Sequence, residues 1–345
     1  MQSQDGLKLG RNIKVFAMVI IAVAAVLAVA SSWNDSLIVD EIPHIGAGYS
    51  YLVKQDMRLN PEHPPLAKDL AAIPLLFLNL KQDAFNTKFW QIDLNGQWEF
   101  GRYLIFNSGN NADQIKHFAR LPIILFLILS AVLIFKWARK LHGNAGAIVA
   151  LAIFAFSPTV IAHSRFVTTD MAALFGVLFA TYFFLKYLKI PSTKNLIIAG
   201  LIFGVALLTK FSTFLLVPFF ALLAVIYGLV REDKKILHIA RYALGIILIF
   251  AIGFAFIVWP TYYFQINKYP IQRQYQDTKQ LLQSYGNRLF ADPVVWASGK
   301  SLLRPAAQYG LGLLMATQRS VGGNTTYFLG DVSRFGWRSY FPTVY

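Results

Sequence analysis

Residues 59–68 read LNPEHPPLAK and set a carboxylate, an imidazole and an ammonium around adjacent prolines. Proline fixes its own φ and pushes the residue before it toward extended backbone, so Glu62 and His63 are held in a defined direction. Lys68 begins the segment that follows. Such a set can pair Glu62 with a cation and offer His63 or Lys68 to a phosphate. A turn whose charges rest in water is the plainer alternative. Three other places have the same character. Asp40 and Glu41 are adjacent acids, and a carboxylate beside a low-dielectric boundary gains proton affinity, which suits a general base. Adjacent acids can equally open a solvated loop. In HSRFVTTDM, 163–171, Thr168 or Thr169 can cap a helix whose start Asp170 complements, with Arg165 close by. Lys210 stands alone in LLTKFS, and Arg120 opens an apolar run. Each either reaches for lipid phosphate or serves a site.

What positions these groups is a membrane. The chain is 56% hydrophobic and only 14% charged over 345 residues, a membrane-protein composition. A bilayer core about 30 Å thick takes roughly 20 apolar helical residues. Seven runs approach that length: about 13–31, 119–136, 145–162, 169–187, 195–209, 212–230 and 240–259, the fifth being short. None has the flanks of a cleavable leader, and the first reads as an uncleaved anchor. There are no cysteines, which excludes disulfides and thiolate metal sites.

The net charge of +15 is distributed as a topology signal rather than as a nucleic-acid surface. Lys8, Arg11 and Lys14 sit at the first run, Lys136, Arg139 and Lys140 after the second, Lys186, Lys189 and Lys194 after the fourth. Arg231, Lys234, Lys235 and Arg241 lie between the sixth and seventh. The alternate short turns hold only Arg165 and Lys210. By the positive-inside rule the N-terminus is cytoplasmic and segments 32–118 and 260–345 face outward. The expected organisation is a transmembrane core over 1–259 with a large first outer loop, then a second outer loop over 260–345. That second loop carries three acidic and nine basic side chains, which favours an anionic ligand or phospholipid head groups nearby. Within the first loop, PLAKDLAAIPLLFLNL is too short to span and reads as a helix lying in the interface. DEIPHIGAGYSYLVKQD, with Ile45, Tyr49 and Leu52 at helical spacing, reads as another. Asp40 and Glu41, Arg165 and Asp170, and Lys210 fall at outer ends of different runs, with Glu62 to Lys68 anchored to the same surface, and helices that pack together bring such ends into one mouth.

In this order the residues become recognisable. DE after the first run, then EHPPLAK, then FARLP, then RFVTTDM, and further on LLTKFSTFLLVPF and TYFLGDVSRFGWRSYFP, resemble the protein O-mannosyltransferase family. That family includes bacterial relatives of dolichyl-phosphate-mannose-protein mannosyltransferases and the lipid A aminoarabinose transferases. The resemblance implies an all-α polytopic GT-C fold and inverting transfer of a sugar from a polyprenyl-phosphate carrier to an acceptor hydroxyl of a protein, lipid or polysaccharide. It implies Asp40 as the catalytic acid acting as base, with Glu41 beside it and Asp170 associated with activity. His63, Lys68, Arg120, Arg165 and Lys210 would serve the donor phosphate. Glu62 matches an acid that can bind a divalent metal. The lysine that follows this acid in the aminoarabinose transferases is His63 here, and 260–345 contains no histidine to complete a metal site of their kind. Family members continue with further spans, so this chain is expected to be a partial product.

The expected location is the plasma membrane of a prokaryote, with the active site on its outer face. A lipid transporter or flippase is the alternative from another class, but it would carry charges mid-span, and here they sit at the ends. A non-catalytic membrane scaffold is a third reading.

Overall fold

The computed structural model describes residues 10–230, 235–323 and 325–344. Lys8, Arg231 and Lys234 of the topology signal lie outside the described residues. In chain order the helices are α1 Arg11–Ser32, α2 Glu41–Lys54, α3 Leu66–Ala72, α4 Lys88–Gln91, α5 Gln97–Arg102, α6 Ala112–Arg120, α7 Ile124–Ala155, α8 Pro158–Ser164 and α9 Asp170–Lys189. They continue as α10 Thr193–Leu207, α11 Leu216–Leu229, α12 Lys235–Gly253, α13 Trp259–Gln265, α14 Ile271–Leu281, α15 Arg288–Ser298, α16 Arg304–Gly322 and α17 Tyr340–Val344. One antiparallel hairpin, β1 Thr326–Phe328 and β2 Asp331–Ser333, turns on Leu329 and Gly330.

Among the described residues, five helical stretches are long and apolar enough to cross a membrane: Arg11–Ser32, Ala112–Ala155, Asp170–Lys189, Phe211–Leu229 and Leu237–Gln265. Helix α10 is apolar but has only 15 residues. The run expected at 119–136 and the first part of that at 145–162 fall within one of these stretches. Gly143 divides it, with φ 70° and ψ −165°, a conformation glycine adopts without a Cβ penalty. The chain reverses there. Arg120 before α7 and Arg165 after α8 both bond carbonyls at the end of α1, those of Ser32 and Ser31. The polypeptide therefore returns to the end of the molecule that it left.

The spans pack through small residues and rings. A Cβ on Gly204 of α10 would come 2.5 Å from the carbonyl oxygen of Gly253 in α12, so these two backbones touch. Where lipid tails are as apolar as leucine, such close approach replaces the hydrophobic drive between helices. Phe184 of α9 stacks on Phe220 of α11 at 4.0 Å between centroids. Phe16, Met18, Val26 and Leu222 remain exposed, as a lipid-facing surface requires.

The segment expected to form the first outer loop departs from expectation in one respect. Helix α2 forms where the spacing predicts, but it is buried over almost its whole first three turns rather than lying on an interface. It packs against α3 and α5. Helix α3, continued by a 3₁₀ turn at Ile73–Phe77, does leave Ile73, Leu76 and Phe77 exposed. In segment 260–345 three of the nine basic side chains are engaged internally. Arg304 donates to Gln274 Oε1 and to the carbonyls of Ile266 and Tyr269. Arg273 pairs with Asp277 and reaches the carbonyls of Gln91 and Ile92, while Arg288 pairs with Asp292. The Gly-rich tail folds around Phe328, Trp337 and Tyr340, and most of it is exposed.

Candidate functional site

The site is assembled around one buried ion pair. Glu41, fully buried at the start of α2, accepts from Arg120 Nε at 2.8 Å and from a terminal guanidinium nitrogen at 2.6 Å. Arg120 is 3% exposed, and its other donors go to the carbonyls of Ser32 and Ser36. Glu41 also accepts from the backbone N–H groups of Ile38 at 2.9 Å and Val167 at 3.0 Å. A buried carboxylate needs every one of these partners, because an unpaired charge in a low dielectric is costly. Val167 is held from its other side too: the imidazole Nδ1 of His44, one turn further along α2, donates to the Val167 carbonyl at 2.9 Å. The turn RFVTTD is thereby clamped onto α2. Asp40 directly precedes Glu41, and Asp170 follows Val167 by three residues, so the two acids flank the same clamp along the chain.

Asp40 itself is exposed at the first residue before α2 and makes no cap bond to the helix. Asp170 opens α9, where the expected side-chain cap from Thr169 is not made. Its carboxylate pairs instead with Lys210 Nζ at 2.8 Å and lies 3.6 Å from His163 Nδ1. Lys210 reaches it because α10 ends just before, and the backbone at Lys210 is extended. Both partners stay partly open to solvent, at 34% for the Lys210 side chain and 43% for Asp170.

The elbow 59–68 is stiff for a reason the prolines supply only in part. Asn60 sits in left-handed backbone, φ 49°. Lys68 is fully buried, and its ammonium donates to the Tyr51 hydroxyl, to the Asn60 carbonyl and side-chain oxygens, and to the His63 carbonyl, at 2.7–3.0 Å. Burial lowers the Lys68 pKa to about 7 and raises that of neighbouring Asp69, bonded to Gln265, to about 8. Lys68, read from sequence as a phosphate ligand, therefore holds the elbow from behind. The Leu66 N–H bonds the Leu208 carbonyl, which docks the elbow beside Lys210. His63 meets His44 edge to face at 5.0 Å. Burial first, then neighbouring His44 and the cations beyond it, holds His63 down to about 2, and burial with Lys68 takes His44 to about 4; both imidazoles are neutral at pH 7.

Glu62 turns away from the mouth toward α5 and accepts from the side-chain amides of Gln97 at 2.5 Å and Asn95 at 3.3 Å. Among the described residues no group of three or more His, Asp or Glu is arranged to hold a metal ion, and both Glu62 oxygens are engaged by amides. The donor set does not fit a divalent cation at Glu62, and no step is assigned to one. Arg165 lies apart from the elbow, pairing with Asp35 at 2.8 Å and with the Ser31 carbonyl, over the ring of Phe166.

Of the residues singled out from sequence, the clamp and elbow bring together Asp40, His63, Asp170 and Lys210. Glu41, Arg120 and Lys68 lie in the supporting interior, and Glu62 and Arg165 at the sides. Sequence reasoning passed over His44, though its place one turn after Asp40 was a usable signal. It also passed over Val167, whose part is played by backbone and leaves no trace in residue type.

The fold defines a helical membrane protein with several spans. Residues 108–259 match the sequence profile of the family described as dolichyl-phosphate-mannose-protein mannosyltransferase. A solved structure of the S. cerevisiae protein O-mannosyltransferase Pmt1-Pmt2 complex bound to the sugar donor superposes with a TM-score of 0.54 at 21% identity. The likeness covers 76% of this chain and 35% of that one, so the chain spans about a third of the length of that relative. No curated protein matches the chain. Over residues 108–259 the chain is similar to that family, and it shares the fold of that solved structure.

Proposed function

We propose that this protein is a membrane glycosyltransferase that moves a sugar from a polyprenyl-phosphate donor to an acceptor hydroxyl, with inversion, on the non-cytoplasmic face. The observation that carries the reading is an exposed Asp40 carboxylate and an open Asp170–Lys210 pair that flank, along the chain, the two sides of one buried clamp. The family match and the positive-inside charge pattern support the substrate class and the sidedness.

Asp40 takes the proton of the acceptor hydroxyl as its oxygen forms the new bond to the anomeric carbon. The anomeric carbon–phosphate oxygen bond breaks on the opposite face, and its electron pair leaves with polyprenyl phosphate. The donor phosphodiester has one negative charge and the leaving monoester two, so no acid is needed but a cation is. Lys210 supplies it. Asp170 holds the ammonium in place until the phosphate arrives and competes with that carboxylate. Neutral His63 offers one N–H to the phosphate without charge repulsion from its cationic neighbours.

The decisive experiment is a transfer assay in detergent or liposomes with a panel of radiolabelled polyprenyl-phosphate sugars. Asp40→Asn should cut turnover on the order of 10²–10⁴-fold, the usual worth of a positioned general base, while the protein inserts and melts as wild type. Full turnover by Asp40→Asn, or no turnover by wild type with any donor, refutes the reading.

A further inference from the structure

Helix α16 touches the elbow along a single stripe. A Cβ on Gly312 would come 2.1 Å from the Pro61 carbonyl oxygen and 2.4 Å from the Phe211 ring, so α16 backbone lies directly on the elbow and on the turn after Lys210. Tyr309, one turn earlier, packs its ring on Phe211 at 5.3 Å. Ala316, one turn later, is packed against the core. Residues 309, 312, 316 and 319 follow the three-and-four spacing of one helical face. The stripe therefore runs past the elbow and ends in Arg319, which is exposed and makes no hydrogen bond or ion pair among the described residues. Arg319 lies close enough to His63 for its charge to act on that ring together with those of Lys68 and Lys210. Lys68 is spent on its four acceptors and Lys210 is shared with Asp170, so Arg319 is the cation of the three with its fork unengaged.

We propose that Arg319 is a second phosphate-binding residue of the donor site, carried by α16 past the elbow, where its fork takes two phosphate oxygens of the polyprenyl phosphate. This rests on the glycosyltransferase reading and adds to it a residue from outside the stretch that matches the family profile. A planar fork suits phosphate better than a point charge does. The competing role, an arginine in the last turn that complements helix carbonyls, would act on α16 alone.

The test measures binding of polyprenyl phosphate without sugar to the purified full chain in detergent, by native mass spectrometry and tryptophan quenching. Neutral polyprenol and inorganic phosphate serve as comparison ligands. Arg319→Gln should weaken polyprenyl phosphate about tenfold, and Arg319→Lys should fall between it and wild type. Polyprenol binding and the melting midpoint should not move, because the side chain is exposed. Unchanged affinity in Arg319→Gln overturns the proposal and leaves the glycosyltransferase reading standing. A wild-type chain that binds no polyprenyl phosphate overturns both. Inorganic phosphate bound as tightly as the lipid, and equally sensitive to Arg319→Gln, overturns the lipid assignment.

Discussion

Arg120→Ala separates the residues that build the site from those that react in it. The substitution removes both guanidinium contacts to Glu41 and leaves its carboxylate fully buried with only the N–H groups of Ile38 and Val167. It also strips a donor from the carbonyls of Ser32 and Ser36. Breaking a buried pair by deleting one partner costs about 3–5 kcal/mol, more than the pair contributes over an apolar replacement, because the surviving charge is stranded. At about 2 °C per kcal/mol for a chain of this size, the melting midpoint in detergent should fall by roughly 6–10 °C. Removing both charges as Arg120→Met with Glu41→Met should cost less than the sum of the single changes, by about 2–3 kcal/mol of coupling. Transfer activity should fall in step with stability in each single variant, whereas Asp40→Asn should lose activity alone. Additive single and double changes, or an Arg120→Ala protein that melts as wild type, would refute the claim that this pair is the clamp.

Acid should loosen the same clamp. His44 is held neutral down to about pH 4 by burial, while an unfolded histidine takes its proton near 6.5. Below 6.5 the unfolded chain therefore binds more protons, so stability is full above that value and falls as pH drops. Between pH 7 and 5 the His44 contribution alone is a loss of about 2 kcal/mol. Melting curves across that range should show it, and His44→Gln should flatten the dependence; an unchanged slope would count against the neutral His44–Val167 bond. In the membrane core, Gly253→Leu places a side chain where the Gly200 carbonyl and the Gly204 backbone lie at 2.6–3.0 Å from a Cβ. Helices α10 and α12 must then part, and folded yield by size-exclusion profile should collapse while Gly286→Leu, where a Cβ meets open space, leaves it unchanged.

The sequence by itself determined the membrane character, the helical content and the position of the candidate charged groups outside the apolar runs. Those follow from local rules: the length of apolar segments, the asymmetry of basic loops and the fixed φ of proline. The reversal at Gly143 was legible as a polar break between two runs, and the α3 interfacial segment as an apolar stretch too short to span. Only the tertiary structure decided which charged groups stay exposed and which are buried. Asp40 and Glu41 are neighbours of one type, yet one is exposed and the other is buried on Arg120, because two adjacent helical residues point about 100° apart and the inward direction is set by distant partners. Arg120, Val167 and the elbow come from segments far apart in the chain, and no spacing rule relates them. Lys68 shows the same limit. Its type and position suit a phosphate, but the left-handed backbone at Asn60 and the Tyr51 hydroxyl turn carbonyl oxygens onto it and make it the strut beneath the elbow.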